Sequence, residues 1–574
     1  MPKLPLDSWI ESIVDWLGAN LSFLFDLLSA AIGGTVYAFS AFFHLLPPWL
    51  LIALLVLLAY RLGRWTLALF ALIGLLLIWN LGYWSPTMDT SALVLTSSLV
   101  SIVLGVPLGI WCAANPSVRG VLTPLLDFMQ TMPAFVYLIP AVTFFGLGVV
   151  PGVIASVIFA IPPTIRLTNL GIRQVPEDLI EAADSFGSTP SQKLMQVQLP
   201  LALPNMMAGI NQTIMLSLSM VVIASMIGAQ GIGADVYRAV TQLNTGQGFE
   251  AGLAVVILAI LLDRLSQRLA GRNSRGKSWL RRVPWIAAAV VVVLVASGLY
   301  ESMRGGAGGS SGVAQSVNSR IIGIDPGSGL MKAAAQAIKD YDLAGWTLVE
   351  GSGTAMTAAL DKAYRSKEPI IVTGWTPHWM FIKYDLKYLD DPRGSFGGSE
   401  EIHTIARKGL QADLPSAYAF LDRFAWQASD MEEVMNKIAD GAQPKDAADA
   451  WVQEHADLVA KWTEGIAPAP KGQKIKLAFV AWDSEIASTN VVRSVLAKLG
   501  YSPEMLQVEI GPMWAGIAGG DADAMVAAWL PTTSKDYYDK YKGQVDDLGA
   551  NLSGTKLGLV VPSYMDVQSI EDLK

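Results

Sequence analysis

The sequence predicts two fold classes on one chain, an α-helical membrane domain followed by an α/β domain of two lobes. Three observations carry this. Charge is partitioned: residues 1–300 hold 15 Lys+Arg and 13 Asp+Glu, whereas residues 301–574 hold 26 and 36. Apolar runs approaching the width of a bilayer crowd the first part, and the whole chain has a mean hydropathy of +0.41. From residue 320 onward, strand-like and helical stretches alternate instead. With 52% hydrophobic residues the chain is neither disordered nor an ordinary cytosolic enzyme, and its acidic second part argues against nucleic acid. One cysteine, Cys112, excludes an intrachain disulfide and a thiolate zinc cluster.

Residues 1–46 read as an N-terminal scaffold segment. Trp9, Ile10, Ile13, Val14, Leu17, Leu21, Leu24 and Leu28 recur at helical spacing, which suits an amphipathic helix at the membrane surface. Residues 47–283 form the membrane domain, with apolar cores near Trp49–Tyr60, Trp65–Trp79, Ser91–Trp111, Pro133–Val150, Val153–Ile161, Met206–Ile227 and Ala251–Leu262. An anchor helix follows at 284–300, built on Trp285–Leu299, giving seven or eight crossings in all. Arg264, Arg268, Arg272, Arg275, Lys277, Arg281 and Arg282 stand together without an acid, so their loop is assigned to the cytoplasm and is suited to anionic lipid. Counting crossings from it puts residues 165–205 inside and everything after 300 outside. Gly271–Ser278 spells the P-loop pattern, but it follows a membrane helix rather than a buried strand, so it is read as part of the cationic loop.

The loop 169–205 carries a more specific pattern. Glu181-Ala182-Ala183 is followed after three residues by Gly187 and after nine more by Val197-Gln198-Leu199-Pro200. A short helix from Pro176 to Phe186, broken at Gly187 and followed by a second helix, would make a rigid knob for a groove on a partner protein. The plainer reading is an amphipathic hairpin between two spans.

Residues 301–319 form a glycine-rich linker. In the domain 320–574, a Pro/Gly/Lys connection at 466–473 suggests halves 320–465 and 474–574. Strand and helix alternate as Ile321–Ile324 with Gly329–Asp340, Ile370–Thr373 with Trp379–Tyr384, Ile475–Ala481 with Ser488–Leu499, and Met525–Trp529 with Lys535–Tyr541. Trp375, Trp482 and Trp529 each stand at a strand end, where α/β sheets bind ligands. Converging indole faces attract a cation that offers no N–H, which describes a quaternary ammonium. Taken singly, each tryptophan reads more readily as core. Asp325-Pro326-Gly327-Ser328 leads into a helix whose first amides, Gly329 and Leu330, can face an anion with the helix dipole behind them. A cation box and an anion nest together describe a receptor for a zwitterion.

Ile324–Gly329, Gly374-Trp375-Thr376-Pro377-His378-Trp379, Lys387–Pro392 and Ala481-Trp482-Asp483-Ser484-Glu485 resemble the glycine betaine binding domain of osmoprotectant ABC importers. Asp127–Pro133 and Asn169–Gln174 resemble the matching permease, and the Glu181–Pro200 loop resembles its ATPase-coupling loop. In this order the chain looks like the fused subunit of an OpuA-type transporter, a type I ABC importer permease joined to a periplasmic-binding-protein-like domain. The resemblance implies two copies of this chain working with two copies of a separate ABC ATPase, which binds the ATP and Mg; this chain is expected to hold no cofactor or metal. It also implies a cage of Trp375, Trp482 and Trp529, carboxylate-holding amides at Gly329 and Leu330, and coupling through Glu181, Ala182, Ala183, Gly187, Leu199 and Pro200.

The family often has Asn-Thr-His after its third cage tryptophan. Here Thr532-Thr533-Ser534 stands instead, so Ser534 offers a neutral hydrogen bond in place of a histidine. His378 is the remaining histidine close to a cage residue. Val561–Tyr564 and Ser569–Lys574 read as though they should precede Arg320, so the domain looks circularly permuted. The implied function is ATP-driven import of glycine betaine, with proline betaine as a further cargo, across a bacterial plasma membrane for osmotic protection, the binding domain being extracellular. An importer of choline or carnitine and a membrane-tethered quaternary-amine sensor are the alternatives. An enzyme is disfavoured, because His44, His378, His403 and His455 lie in unrelated contexts with no nucleophile beside them.

Overall fold

A computed structural model describes residues 6–242, 244–273 and 312–574, which fall into two compact units. The cations from Arg275 to Arg282, the end of the P-loop-like segment, the run Trp285–Leu299 and the glycines 305–309 lie outside the described residues.

In the first unit, α1 (Leu6–Leu45) breaks its helical geometry at Leu21, and the part from Asn20 to Leu45 is long and apolar enough to span a membrane. The amphipathic face before the break leaves Trp9, Ile10, Ile13 and Trp16 exposed. The two runs expected as separate cores, Trp49–Tyr60 and Trp65–Trp79, are carried by one element, α2 (Pro48–Asn80), kinked at Arg64. Helix α3 (Trp84–Ala114) is followed by α4 (Pro116–Thr131), where Pro133 stops the helix. A 3-10 turn (Ala134–Tyr137) and α5 (Leu138–Phe145) then turn the chain by 108°. The expected run Pro133–Val150 is therefore half of a bent pair. Helix α6 (Val149–Arg173) packs most extensively against α3 and against α9 (Leu199–Ser225). Close approach is enforced at Gly109 of α3, where a Cβ would stand 2.6 Å from Thr168 Cβ of α6.

Among the described residues, five helices qualify as membrane spans by length and composition, or six if the bent pair is one. The apolar run Ala251–Leu262 lies on α11 (Thr245–Asn273), after α10 (Ile232–Thr241), but Glu250, Asp263 and Arg264 crowd its ends and α11 is not among the five.

Between α6 and α9, the chain forms α7 (Glu177–Ser185), turns at Gly187 with φ +73°, and enters α8 (Pro190–Lys193). Thr189 and Gln192 form a capping box at α8, and Lys193 Nζ donates to Asp184 Oδ1 at 2.9 Å, locking the two helices together. One π turn, Leu194–Gln198, carries the chain into α9.

Among its described residues the second unit holds nine strands: β1 (Arg320–Ile322), β2 (Thr347–Val349), β3 (Val372–Thr376), β4 (Leu386–Tyr388), β5 (Glu400–Arg407), β6 (Gln473–Phe479), β7 (Tyr501–Gln507), β8 (Ala524–Leu530) and β9 (Val545–Pro562). Their order is β2-β1-β3-β9-β5-β8-β6-β7, with β4 also pairing β9. This divides the unit differently from the expected halves 320–465 and 474–574. One lobe holds β1–β4 with the end of β9 from Lys556. The other holds β5–β8 with β9 up to Thr555. The connection at 466–472 joins a helix and a strand of the same lobe, because the chain crosses between lobes before β5 and again within β9. Helix Gly312–Ser316 packs against the 3-10 turn Ile570–Leu573, so the two ends of the domain meet. That adjacency is the geometry a circular permutation requires.

Gly187 adopts a left-handed conformation in which a side chain costs about 1–2 kcal/mol, least for Asn. Gly187→Val is therefore expected to loosen the α7–α8 knob and speed its proteolytic cleavage, whereas Gly187→Asn should cleave at nearly the wild-type rate.

Candidate functional site

The tryptophans picked out by position converge. Trp375 is carried by β3, Trp529 by β8, and Trp482 caps the N-terminus of helix Asp483–Lys498 just beyond β6. All three are at most 5% exposed, yet they face one cavity between the two lobes rather than packing solid. From the first lobe come Ile324, Ser328, Leu330 and Leu557, the last lying opposite Trp375 in the β3–β9 ladder. Thr533 completes the lining from the second lobe. Only about 20 Å³ of the cavity is open to a water-sized sphere, so the walls stand almost closed on one another.

Its walls offer two chemistries. The indoles present negative π faces to a cation. Beside them helix Gly329–Asp340 begins, with Ser328 Oγ accepting from Met331 N at 3.3 Å. This cap leaves the first-turn amides of Gly329 and Leu330 without a partner inside the helix, and Leu330 lines the cavity. Gly329 sits so close to the opposite lobe that a Cβ would stand 2.3 Å from Thr533 Cα. Only glycine lets this helix end meet that turn.

Both lobes contribute ties around the cavity. Trp482 Nε1 donates to Asp325 Oδ2 at 2.8 Å, and Lys332 pairs with Asp536 at 2.5 Å. The Thr532–Thr533 turn is fixed by the buried Glu400, whose Oε1 accepts from Thr533 N at 2.6 Å and whose Oε2 accepts from Thr533 Oγ1 at 2.8 Å. Each of Trp375 and Trp529 is followed, after one residue, by a cis proline, Pro377 and Pro531.

His378 and Ser534 stand behind the lining rather than in it. His378 packs edge-on to Trp375, with ring centroids 4.5 Å apart. Its Nδ1 accepts from Met380 N, so in the neutral ring Nε2 carries the hydrogen and faces Asp483 Oδ2 at 3.3 Å. Ser534 is 1% exposed, its N–H donates to Trp529 O, and the cavity wall is its neighbour Thr533. Sequence reasoning missed Thr533, Ser328 and Leu557, which have no distinctive side-chain chemistry, and Glu400, whose glutamate pattern gave no signal.

Two further carboxyl groups lie near Asp325. Burial pushes Glu485 well above the usual range, opposed by the Val480 N–H it accepts from and reinforced by the charge of Asp325. Glu509 is pushed up to about 7, by burial first and Asp325 second. A separate trio, Glu433, Glu454 and His455, could hold a metal ion by spacing, but Lys437 Nζ already stands 3.0 Å from Glu433 and 2.5 Å from Glu454.

At the expected coupling loop, Glu181, Ala182 and Gly187 are exposed, Ala183 and Pro200 are half-buried, and Leu199 is buried against Ile172, Ala202 and Met206. Phe186, at the tip, is 89% exposed, an apolar side chain that the pattern itself does not include.

The model for the substrate binding domain of the ABC-type glycine betaine transport system matches residues 308–454 and 473–574, and that for the binding-protein-dependent transport system inner membrane component matches residues 105–279. The chain belongs to the glycine betaine ABC transport family. It fuses that family's permease and substrate-binding domain, and is a multi-pass membrane protein. It is 59% identical over 282 residues to the glycine betaine/carnitine transport permease protein of Listeria monocytogenes, covering 48% of this chain and 99% of that protein. The glycine betaine/carnitine transport binding protein of the same organism is 56% identical over 263 residues, covering 45% and 87%. The glycine betaine transport system permease protein of Bacillus subtilis is 54% identical over 279 residues, covering 48% and 99%.

A carboxyl whose pKa rises on folding binds its proton more tightly in the folded state. Below pH 4.5 Glu509 is protonated in both states. Between 4.5 and about 7 the unfolded chain releases the proton first, so stability falls through that window and stays lower above it. Glu509→Gln should thus raise the unfolding temperature at pH 8 and leave it unchanged at pH 4, as read from tryptophan fluorescence.

Proposed function

We propose that this chain is the permease and receptor subunit of an ATP-driven importer of glycine betaine, with proline betaine a further cargo, serving osmotic protection. The observation that carries the proposal is the convergence of Trp375, Trp482 and Trp529 on one small cavity beside the helix start at Gly329. A trimethylammonium group has no N–H to satisfy, so π faces hold it without leaving a polar group unpaired, while its carboxylate takes the amides of Gly329 and Leu330. The names of the Listeria relatives include carnitine, which favours it over choline as the second reading.

The remaining parts follow from the permease family. Two copies of this chain form the path, and two copies of an ABC ATPase bind ATP and Mg in the cytoplasm. The α7–α8 knob, with Glu181, Ala182 and Phe186 outward, enters a groove on each ATPase. The binding domain lies outside the bacterial plasma membrane, and anionic lipid is a further partner.

Reconstituted with its ATPase in liposomes, the wild-type pair should accumulate labelled glycine betaine when ATP is supplied. Glu181→Lys should cut uptake by about tenfold or more, the effect of about 1.4 kcal/mol at the contact, with betaine affinity unchanged. Undiminished uptake in that variant would remove the coupling role. Absence of wild-type uptake with measurable binding would favour the sensor reading.

A further inference from the structure

Trp482 differs from its two partners in how it is held. It lies on no strand; it is the residue before helix Asp483–Lys498, and its indole Nε1 donates to Asp325 Oδ2 at 2.8 Å in a buried setting. Asp325 belongs to the other lobe and to the loop that leads into helix Gly329–Asp340. Its backbone carbonyl accepts from Ser328 N at 3.0 Å, so it also shapes the turn that starts that helix. One residue thus bears on both the cage and the helix start.

A buried N–H donated to a carboxylate is charge-assisted and stronger than one donated to a neutral acceptor. Electron density moves from the N–H into the indole, making the ring face more negative, and the cation attraction depends on that face. The carboxylate also adds its own field in a cavity with little water to screen it. The pull is toward cations only, because a neutral group of the same shape gains nothing from either effect. Glu485 and Glu509 do not duplicate it: burial pushes both upward, and the Asp325 charge adds to the push.

Resting on the cage reading above, we propose that Asp325 is a positioning and polarising residue that sets the preference of the cavity for a quaternary ammonium, acting through the Trp482 indole. It does so without lining the cavity, adding a charge behind walls that are aromatic, aliphatic and hydroxyl.

The test compares two ligands on the full chain in lipid nanodiscs. One is glycine betaine; the other is 3,3-dimethylbutyrate, in which carbon replaces the quaternary nitrogen and the carboxylate is kept. Asp325→Asn keeps an acceptor for the indole and removes the charge. Betaine affinity should fall about tenfold while dimethylbutyrate affinity stays within about twofold, so the preference shrinks. Equal loss for both ligands would mean that Asp325 only holds the lobes together, and unchanged affinity for both would mean that it has no role; either overturns the proposal. If the Asn variant does not fold, Asp325→Ser is read by the same ratio. In a Trp482→Phe background, which lacks the N–H, Asp325→Asn should change the ratio much less; an equal change there would overturn the route through the indole. Failure of the wild-type chain to bind betaine would instead sink the cage reading itself.

Discussion

Strand β9 is the constraint on which the binding domain depends. Its residues from Val545 to Thr555 pair with β5, those from Lys556 to Val560 pair with β3, and Leu386–Tyr388 add along its end. Each lobe's sheet is therefore incomplete without the same strand. The ladder sets Leu557 opposite Trp375, and β5 in turn sets β8, which carries Trp529. The cage walls from two lobes owe their relative placement to one continuous run of hydrogen bonds. A strand shared in this way keeps the lobes attached while leaving the cavity between them as the place where side chains, rather than backbone, make the contact.

What fills that cavity is decided by the balance of polar groups around it. The lining is aromatic and aliphatic with two hydroxyl residues, Ser328 and Thr533, and both have work elsewhere: one caps a helix and the other binds Glu400. The donors left for a ligand are thus the Ser328 hydroxyl hydrogen and the first-turn amides of helix Gly329–Asp340. Burying charge is costly unless it is matched. A cation that cannot hydrogen-bond and an anion that meets a helix start each find a match here. The same cost is visible in Glu485 and Glu509, whose carboxyl groups hold their protons more tightly because they are buried near Asp325.

Much of this was legible in the sequence where a residue type dictates its own surroundings. Helix Gly329–Asp340 appears where Ser328 can cap it, helix Lys535–Tyr541 follows the third tryptophan, and Gly187 breaks α7 where the pattern requires a left-handed turn. The tryptophans were found because large aromatics at strand ends are conspicuous. Their convergence was not legible, since it depends on β9, whose stretch Val545–Pro562 contains Gly549 and Gly554 and shows no clean alternation. The same strand hid the lobe boundary, because a chain that crosses between lobes in mid-strand leaves no compositional mark. In the membrane unit, Gly63-Arg64 looked like a gap between two spans, yet the backbone passes through it with a kink. Thr533 and Leu557 went unseen for a simpler reason: each lines the cavity only through its partner across the sheet or turn.

The central claim is that the three indoles form a receptor for a quaternary ammonium zwitterion, and intrinsic fluorescence reads those indoles directly. The full chain should be titrated with glycine betaine, choline and proline. Glycine betaine should give a saturable change, choline, which lacks the carboxylate, a weaker response, and proline, whose ammonium carries N–H groups that the cage cannot satisfy, none. No response to either quaternary amine would contradict that claim and return the tryptophans to the status of core residues.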